Sequence, residues 1–140
     1  MPGNGARGVD ALLALGLAGG RLVIGAGIWV APDRALAALG FDASHPAIRT
    51  VGRLTATRDL ATGLLALSSR GDPAATRRVV LMNAAIDAGD TLAFGLALTG
   101  RDPALRRAGA VGAPAALAAC VAGLALAQRL DSKGREGRRG

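Results

Sequence analysis

Residues 108–128 read AGAVGAPAALAACVAGLALAQ, which is 21 residues without a charged side chain. Gln128 holds the only amide side chain, so a helix formed by this stretch has no polar face to turn toward water. At about 1.5 Å per residue the helix is about 30 Å long, the thickness of the hydrocarbon core of a bilayer. Arg107 precedes the stretch and Arg129 follows it. The stretch therefore predicts a membrane-spanning helix.

The composition of the whole chain favours a membrane protein with closely packed helices. Of its 140 residues, 51% are apolar and 19% are charged, and 32 are alanine and 21 glycine. Small side chains let helices approach closely in a bilayer, whereas a water-soluble core is filled mostly by larger residues. The length fits one domain, which we place at residues 1–130. The polar, basic segment 131–140 predicts a disordered tail.

The net charge of +7 raises the question of nucleic-acid binding. Only Trp29, Phe41 and Phe94 are aromatic, so the chain offers no platform on which bases could stack. The basic residues are scattered between apolar runs and do not cluster on one helix. A single cysteine, Cys120, and a single histidine, His45, supply no ligand set for a metal. We therefore predict no nucleic-acid partner, no metal site and no cofactor.

Start and stop signals divide the rest of the chain into helices joined by short loops. Proline follows His45, Asp72 and Asp102, and a capping side chain before proline is a helix start signal. Pro32 begins a short amphipathic segment, and Gly40 ends it. The prediction is an all-α fold with four transmembrane helices, at about 9–30, 46–68, 73–98 and 103–129, and a short interfacial helix at about 32–40.

Charged residues interrupt three of the predicted spans. A charge at the centre of a membrane helix costs about 2.5–3.5 kcal/mol, whereas a large apolar residue contributes about 0.3–0.6 kcal/mol. By this measure the second and third long helices insert poorly alone, and we expect them to need each other or a water-filled cavity. The formal charges in the spans add up to zero: Arg21, Arg53, Arg58, Asp59, Asp87 and Asp90.

Helical spacing indicates how these polar groups meet. One face of the third long helix carries four polar residues: Asn83, Asp87, Asp90 and Thr91. Depth, counted from the helix ends at about 1.5 Å per residue, matches basic and acidic residues on different helices. We therefore expect three ion pairs: Arg58 with Asp87, Arg53 with Asp90, and Arg21 with Asp59. For Arg53, which lies near a helix end, a side chain that reaches the interface is the alternative.

Small residues indicate where the helices pack closely. Gly16 and Gly20 lie one turn apart on the first long helix. On the second long helix, Gly52, Ala56 and Gly63 share a face with Asp59. We expect both sets to contact a neighbouring helix.

The loop charges predict the orientation. If both termini are cytoplasmic, nine basic residues lie on the cytoplasmic side and five on the other. The positive-inside rule then favours cytoplasmic termini in a multi-pass protein of the cell inner (plasma) membrane.

Several short motifs between residues 21 and 98 carry a family resemblance. They are Arg21-x3-Gly25, Ala31-Pro32, Leu39-Gly40, Gly52-Arg53, Arg58-Asp59-Leu60 with Gly63, and Asp87-x2-Asp90. With these motifs the chain resembles an uncharacterised family of small bacterial four-helix integral membrane proteins, defined as a domain of unknown function. The resemblance implies the fold and the membrane location, and it implies no activity.

Four functional classes stay open on sequence grounds. In the membrane, the Arg/Asp network fits a small carrier or an accessory subunit of a complex, with the lipid bilayer as first partner. Four helices are few for a carrier, so a homodimer is expected if the chain transports. A structural role for the charges, as fasteners between helices, is the simpler interpretation. The other classes are a soluble four-helix binding module and a membrane enzyme, for which His45 is a poor candidate base because it lies in a loop.

Overall fold

The computed structural model describes the backbone of residues 4–136 and the side chains of residues 8–132. Over that part of the chain all regular structure is helical, which confirms the predicted all-α class. The five helices are α1 (Asn4–Val30), α2 (Pro32–Ala38), α3 (Pro46–Ser68), α4 (Pro73–Thr99) and α5 (Pro103–Glu136).

The three long helices that follow α2 begin at the predicted prolines. Nδ1 of His45 accepts a hydrogen bond from the backbone N–H of Ala47 at 3.2 Å. The carboxylate of Asp72 accepts from two N–H groups of the first turn of α4, at 2.9 and 3.0 Å. Asp102 accepts from Ala104 at 2.8 Å. These caps satisfy N–H groups that have no partner inside a helix, and they explain why the boundaries were predictable.

Helix α2 ends in a glycine turn that places the next loop against α5. The N–H of Phe41 donates to the carbonyl of Leu36, and the N–H of Gly40 donates to Ala37, both at 3.0 Å. Gly40 has a φ of +87°, which favours glycine. A Cβ at Gly40 would lie 3.0 Å from the backbone of Ala108, so the turn also needs glycine for its close contact with α5. In the same loop, hydrogen bonds from Ser44 lower the pKa of Asp42.

Two helix ends differ from the prediction. Helix α1 already begins at Asn4, and α5 continues to Glu136, into the segment predicted to be a disordered tail. A helix that is already nucleated adds one hydrogen bond for each further residue, so α5 extends through Arg129 and Leu130 into the tail. The rest of the predicted tail, residues 137–140, lies outside the described residues.

The long helices form two tightly packed pairs, α1 with α3 and α4 with α5. Glycine allows both close approaches: a Cβ at Gly25 of α1 would lie 2.8 Å from the carbonyl oxygen of Ala56 of α3. A Cβ at Gly109 of α5 would lie 2.7 Å from the carbonyl oxygen of Phe94 of α4. The contacts between the two pairs are much sparser than those within them.

The small-residue seam predicted on α3 packs as expected. A Cβ at Gly52 would lie 2.8 Å from the Leu36 side chain, and one at Gly63 would lie 2.9 Å from Leu22. Ala56 is completely buried.

The predicted contact of Gly16 and Gly20 with another helix is wrong, because a Cβ at either position would have no heavy atom within 4 Å. Helix α1 packs on α3 through the face that carries Ala18, Leu22 and Gly25, and this rotation turns Gly16 and Gly20 away.

The distribution of side chains is the reverse of that in a water-soluble protein. Large apolar side chains cover the outside, with Val30 86%, Val23 73% and Leu96 72% exposed, whereas the acidic residues Asp59 and Asp87 are buried. Water would penalise such a surface, and lipid tails would not. Among the described residues, three helical segments are long and apolar enough to cross a membrane: Gly8–Val30, Pro73–Thr99 and Pro103–Ser132.

Candidate functional site

Arg21 of α1 joins three helices at the centre of the structure. Its Nη1 donates to Oδ1 of Asp59 on α3 at 3.1 Å, and its Nη2 contacts Oδ1 of Asp87 on α4. The same Nη2 donates to the carbonyl oxygen of Asn83 at 3.3 Å. All three charged side chains are about nine-tenths buried. The predicted pair of Arg21 with Asp59 is confirmed, and the contact with Asp87 is an addition that the sequence did not indicate.

Arg58 of α3 pairs with a different carboxylate from the one predicted. Its Nη1 and Nη2 donate to the two oxygens of Asp90, at 3.0 and 2.8 Å. Its Nε and Nη2 also donate to Oδ1 of Asp59, at 3.3 and 3.2 Å. The predicted pair of Arg58 with Asp87 is therefore wrong. Arg21 occupies Asp87 from α1, and Asp90 lies nearly one turn further along α4, where Arg58 reaches it with both Nη groups.

The predicted pair of Arg53 with Asp90 is also wrong. Arg53 is exposed, and its guanidinium carbon lies 5.7 Å from the centre of the Trp29 ring. This is a cation–π contact between α3 and the end of α1. Arg58 already pairs with both oxygens of Asp90, whereas the Arg53 side chain lies against Trp29.

Asn83 and Thr91, the other predicted members of the network, have different environments. The hydroxyl of Thr91 donates to the carbonyl oxygen of Asp87 at 2.7 Å, so it bonds within its own helix. Asn83 is only 9% exposed, and its side-chain Oδ1 accepts no hydrogen bond. A buried polar atom without a partner costs free energy, so a donor that reached Oδ1 of Asn83 would bind it favourably.

The network carries an excess of negative charge because Arg53 lies outside it. Two guanidinium groups, of Arg21 and Arg58, face three carboxylates, of Asp59, Asp87 and Asp90, which leaves one negative charge unmatched. Within residues 8–132, Oδ2 of Asp59 and Oδ2 of Asp87 accept no hydrogen bond. The network is therefore able to accept a proton, a cation or a hydrogen-bond donor.

A cavity of about 400 Å³ lies between the two helix pairs and adjoins the network. The network residues line one part of it, together with Asn83. The rest of the wall is mainly apolar and includes Leu17, Ile24, Leu36, Val80 and Phe94. A mostly apolar pocket with a few convergent polar groups is typical of small-molecule sites.

Apolar contacts are found at both ends of this cavity. At the end near α2, the rings of Phe41 and Phe94 lie 6.0 Å apart between centroids, beside a buried cluster around Ile28 and Leu36. At the other end a second cluster centres on Val80, Leu126 and Ala127, with Leu17 packed against it.

Ion pairs join the helices beyond this second cluster. Asp10 of α1 lies 3.7 Å from Arg129 of α5, and Arg77 of α4 lies 3.6 Å from Asp131 of α5. Sequence analysis did not identify these pairs. The available signal for these pairs was the presence of opposite charges near the ends of the predicted spans. The sequence interpretation placed these charged residues in the loops.

Within the described residues, no group of three or more His, Cys, Asp and Glu side chains could hold a metal ion. His45 caps α3, and Cys120 is buried in α5. Comparisons of the chain with models of protein families, with curated proteins and with solved structures found no match. Among the described residues, the charged network and the cavity that it lines form the candidate functional site.

Proposed function

We propose that α1, α3, α4 and α5 all cross the membrane and that α2 lies at the interface. Helix α3 has the charges that oppose insertion, but Arg58 and Asp59 are engaged by partners on α1 and α4. Its outer face carries Leu54 and Leu64, each more than half exposed and suited to lipid. With 23 residues, α3 is about 35 Å long, enough to span the hydrocarbon core.

We further propose that both termini are cytoplasmic and that the chain resides in the inner membrane of a bacterium. The excess of basic residues on the side of the termini supports this orientation. The resemblance to small bacterial four-helix membrane proteins supports the choice of membrane.

In this membrane we propose that the chain is a small carrier. One observation carries the proposal: a charged network with an unmatched carboxylate adjoins a cavity of about 400 Å³ between two loosely joined helix pairs. Ion pairs that only fasten helices need no cavity beside them. Carriers bind solutes near the middle of the membrane, between two structural halves that move against each other.

The contacts between the helix pairs suit such a movement. Arg21 and Arg58 connect α1 and α3 to Asp87 and Asp90 of α4 at the centre, whereas apolar contacts close the ends. At the end near α2 the apolar contacts separate without leaving a charge unpaired, whereas opening the other end also separates Asp10 of α1 from Arg129 of α5. Rocking about the central ion pairs would open the ends in turn.

Two-sided access to the cavity tests this function without knowledge of the substrate. Thr55 lines the cavity from α3, and a Thr55→Cys variant in a Cys120→Ala background supplies one thiol there. In oriented proteoliposomes, we expect a membrane-impermeant maleimide to label this thiol from either side. Alternating access requires this result, because each state opens the cavity to one side.

Leu54→Cys in the same background is the matched control. Leu54 is the neighbouring residue, is 67% exposed on the outer face, and would lie in lipid at nearly the same depth. We expect no labelling of Leu54→Cys from either side. Labelling of Thr55→Cys from one side only, or from neither, would contradict a carrier and favour an accessory subunit.

A further inference from the structure

We infer that the cavity binds a monovalent organic cation in which a primary ammonium group is joined to a compact apolar body. This inference rests on the proposed function in one respect, that the cavity is the solute site. Three observations carry it: the charge of the network, the unused acceptors beside it, and the composition of the remaining wall.

The charge of the network selects a cation. Arg21 lies between Asp59 and Asp87, and Arg58 holds Asp90 with both Nη groups, so each guanidinium already faces carboxylates. The sum over the five side chains is one negative charge. A cation neutralises that charge, whereas an anion adds to it in a site largely screened from water.

Unused oxygens beside the network select a donor of several hydrogen bonds. Oδ1 of Asn83 is buried and accepts no hydrogen bond, and Asn83 lines the cavity. Asn83 and Asp87 lie one turn apart on α4. Arg21 donates to both of them and to Asp59, so the three residues surround one guanidinium. The Oδ2 atoms of Asp59 and Asp87 add two more unused acceptors. A primary ammonium has three N–H donors for these three oxygens, whereas a quaternary ammonium has none.

The rest of the wall selects an apolar body. Leu17, Ile24, Val80 and Phe94 surround a volume of about 400 Å³, which is much larger than an ammonium group requires. Burial of an apolar group against these side chains contributes favourable free energy. Small metal cations prefer a nearly complete shell of oxygen ligands. The apolar part of the wall offers an alkali cation no such ligands.

Binding to the purified full chain in lipid nanodiscs, measured by calorimetry, tests this inference. The probes are phenethylammonium, its N-trimethyl analogue and 3-phenylpropionate, which share a phenyl group and differ in the charged head. We expect phenethylammonium to bind at least about tenfold more tightly than the trimethyl analogue, since hydrogen bonds to charged acceptors are lost in the latter. We expect no binding of 3-phenylpropionate, and no competition from sodium at the same concentration.

The variant Asn83→Leu tests whether Asn83 causes the preference for the primary ammonium, because leucine has a similar size and offers no acceptor. In this variant we expect phenethylammonium to bind about tenfold more weakly and the affinity of the trimethyl analogue to stay the same. The fold of the variant is checked by its helical circular dichroism and its elution as a single species. If the variant does not fold, the affinities of the natural chain for the two cations still test the inference.

Three results would overturn the inference. They are equal affinities for the two cations, tighter binding of 3-phenylpropionate than of phenethylammonium, and no binding of phenethylammonium. The labelling of Thr55→Cys uses no ligand, so the two proposals fail separately. Two-sided labelling without binding of phenethylammonium overturns the inference and leaves the carrier. Binding of phenethylammonium with one-sided labelling overturns the carrier and leaves a cation site.

Discussion

Arg21 of α1 connects the two helix pairs through its contact with Asp87 of α4. One guanidinium contacts carboxylates on two other helices, so its charge is shared by Asp59 and Asp87. A buried ion pair adds little net stability compared with apolar residues, but removal of one partner leaves a charge without compensation. Removal of Arg21 would leave two carboxylates without this shared partner.

Arg21→Met is therefore expected to lower the free energy of unfolding by about 3–5 kcal/mol. Reversible unfolding in mixed micelles, followed by circular dichroism, measures the change. Arg101→Met, at an exposed site in the loop between α4 and α5, is the control and should change stability by less than about 0.5 kcal/mol. Similar losses for the two variants would show that Arg21 does not hold the helices together.

The second prediction at this scale concerns which arginine pairs with Asp90. Asp90→Arg places like charges beside Arg58 and is expected to destabilise the fold by about 2 kcal/mol. The exchange Arg58→Asp with Asp90→Arg restores the pair and should recover about 1 kcal/mol or more. The exchange Arg53→Asp with Asp90→Arg should recover nothing, because Arg53 contacts Trp29. Recovery only with Arg53 would contradict the observed pairing, with the same unfolding assay as the readout.

Among the secondary structure elements, glycine positions decide which helix faces meet. Gly25 allows the backbone of α1 to approach Ala56 of α3, whereas Gly19 faces open space. Both residues lie in the same helix and both are glycine, so their roles differ only through the rotation of α1. Spacing along the sequence does not reveal that rotation.

Gly25→Ala and Gly19→Ala form a matched pair of substitutions. A Cβ at Gly25 would lie 2.8 Å from a backbone oxygen, which cannot move without the helix, so we expect a loss of about 1–3 kcal/mol. Gly19→Ala meets no atom and should leave stability unchanged or raise it by about 0.5–1 kcal/mol, because alanine favours the helix. Equilibrium unfolding of both variants measures the difference. A larger loss at Gly19 would contradict the packing of α1 on α3.

Helix α3 shows how one element depends on its neighbours. It is absent from the segments that are apolar enough to cross a membrane. Its charged residues Arg58 and Asp59 find their partners on α1 and α4. This agrees with the expectation that α3 inserts poorly alone. The same expectation for α4 is wrong by length and composition, since Pro73–Thr99 is apolar enough to cross a membrane.

At the scale of the whole molecule, the number of crossings decides where the loops lie. With four crossings, both termini and the α3–α4 loop share one side, and the loops before α3 and after α4 lie on the other. With three crossings, in which α3 stays out of the membrane, the α3–α4 loop changes sides and the termini separate. The two arrangements therefore differ in whether the loops before and after α3 lie on opposite sides of the membrane or on the same side.

Alkaline phosphatase inserted into the full chain after Asp42, Gly71 or Arg101 tests the four-crossing topology in a bacterial host. These sites are exposed loop residues. We expect activity, which requires the periplasm, after Asp42 and Arg101, and none after Gly71. Green fluorescent protein at the C-terminus should fluoresce, since it matures in the cytoplasm. Activity after both Asp42 and Gly71 would place α3 outside the membrane, whereas activity after Gly71 alone would invert the orientation of the four crossings.

The sequence alone was sufficient for the presence of the five helices and for the starts of α3, α4 and α5. Caps and prolines act on N–H groups one turn away, so the starts at Pro46, Pro73 and Pro103 are local properties. Hydrophobicity is likewise a sum over neighbouring residues, and it marks three of the four predicted spans as apolar enough to cross a membrane. The contact of Arg21 with Asp59 was also predictable, because depth along the helices matched the two residues.

The tertiary structure decided which carboxylate each remaining arginine meets. Depth is one coordinate, whereas a side-chain contact also depends on the rotation of each helix and on which helices are neighbours. Arg21 enters between α3 and α4 and occupies Asp87, so Arg58 meets Asp90 and Arg53 lies against Trp29. The unmatched charge follows because this arrangement leaves Arg53 outside the network. The cavity follows because the two helix pairs contact each other only sparsely.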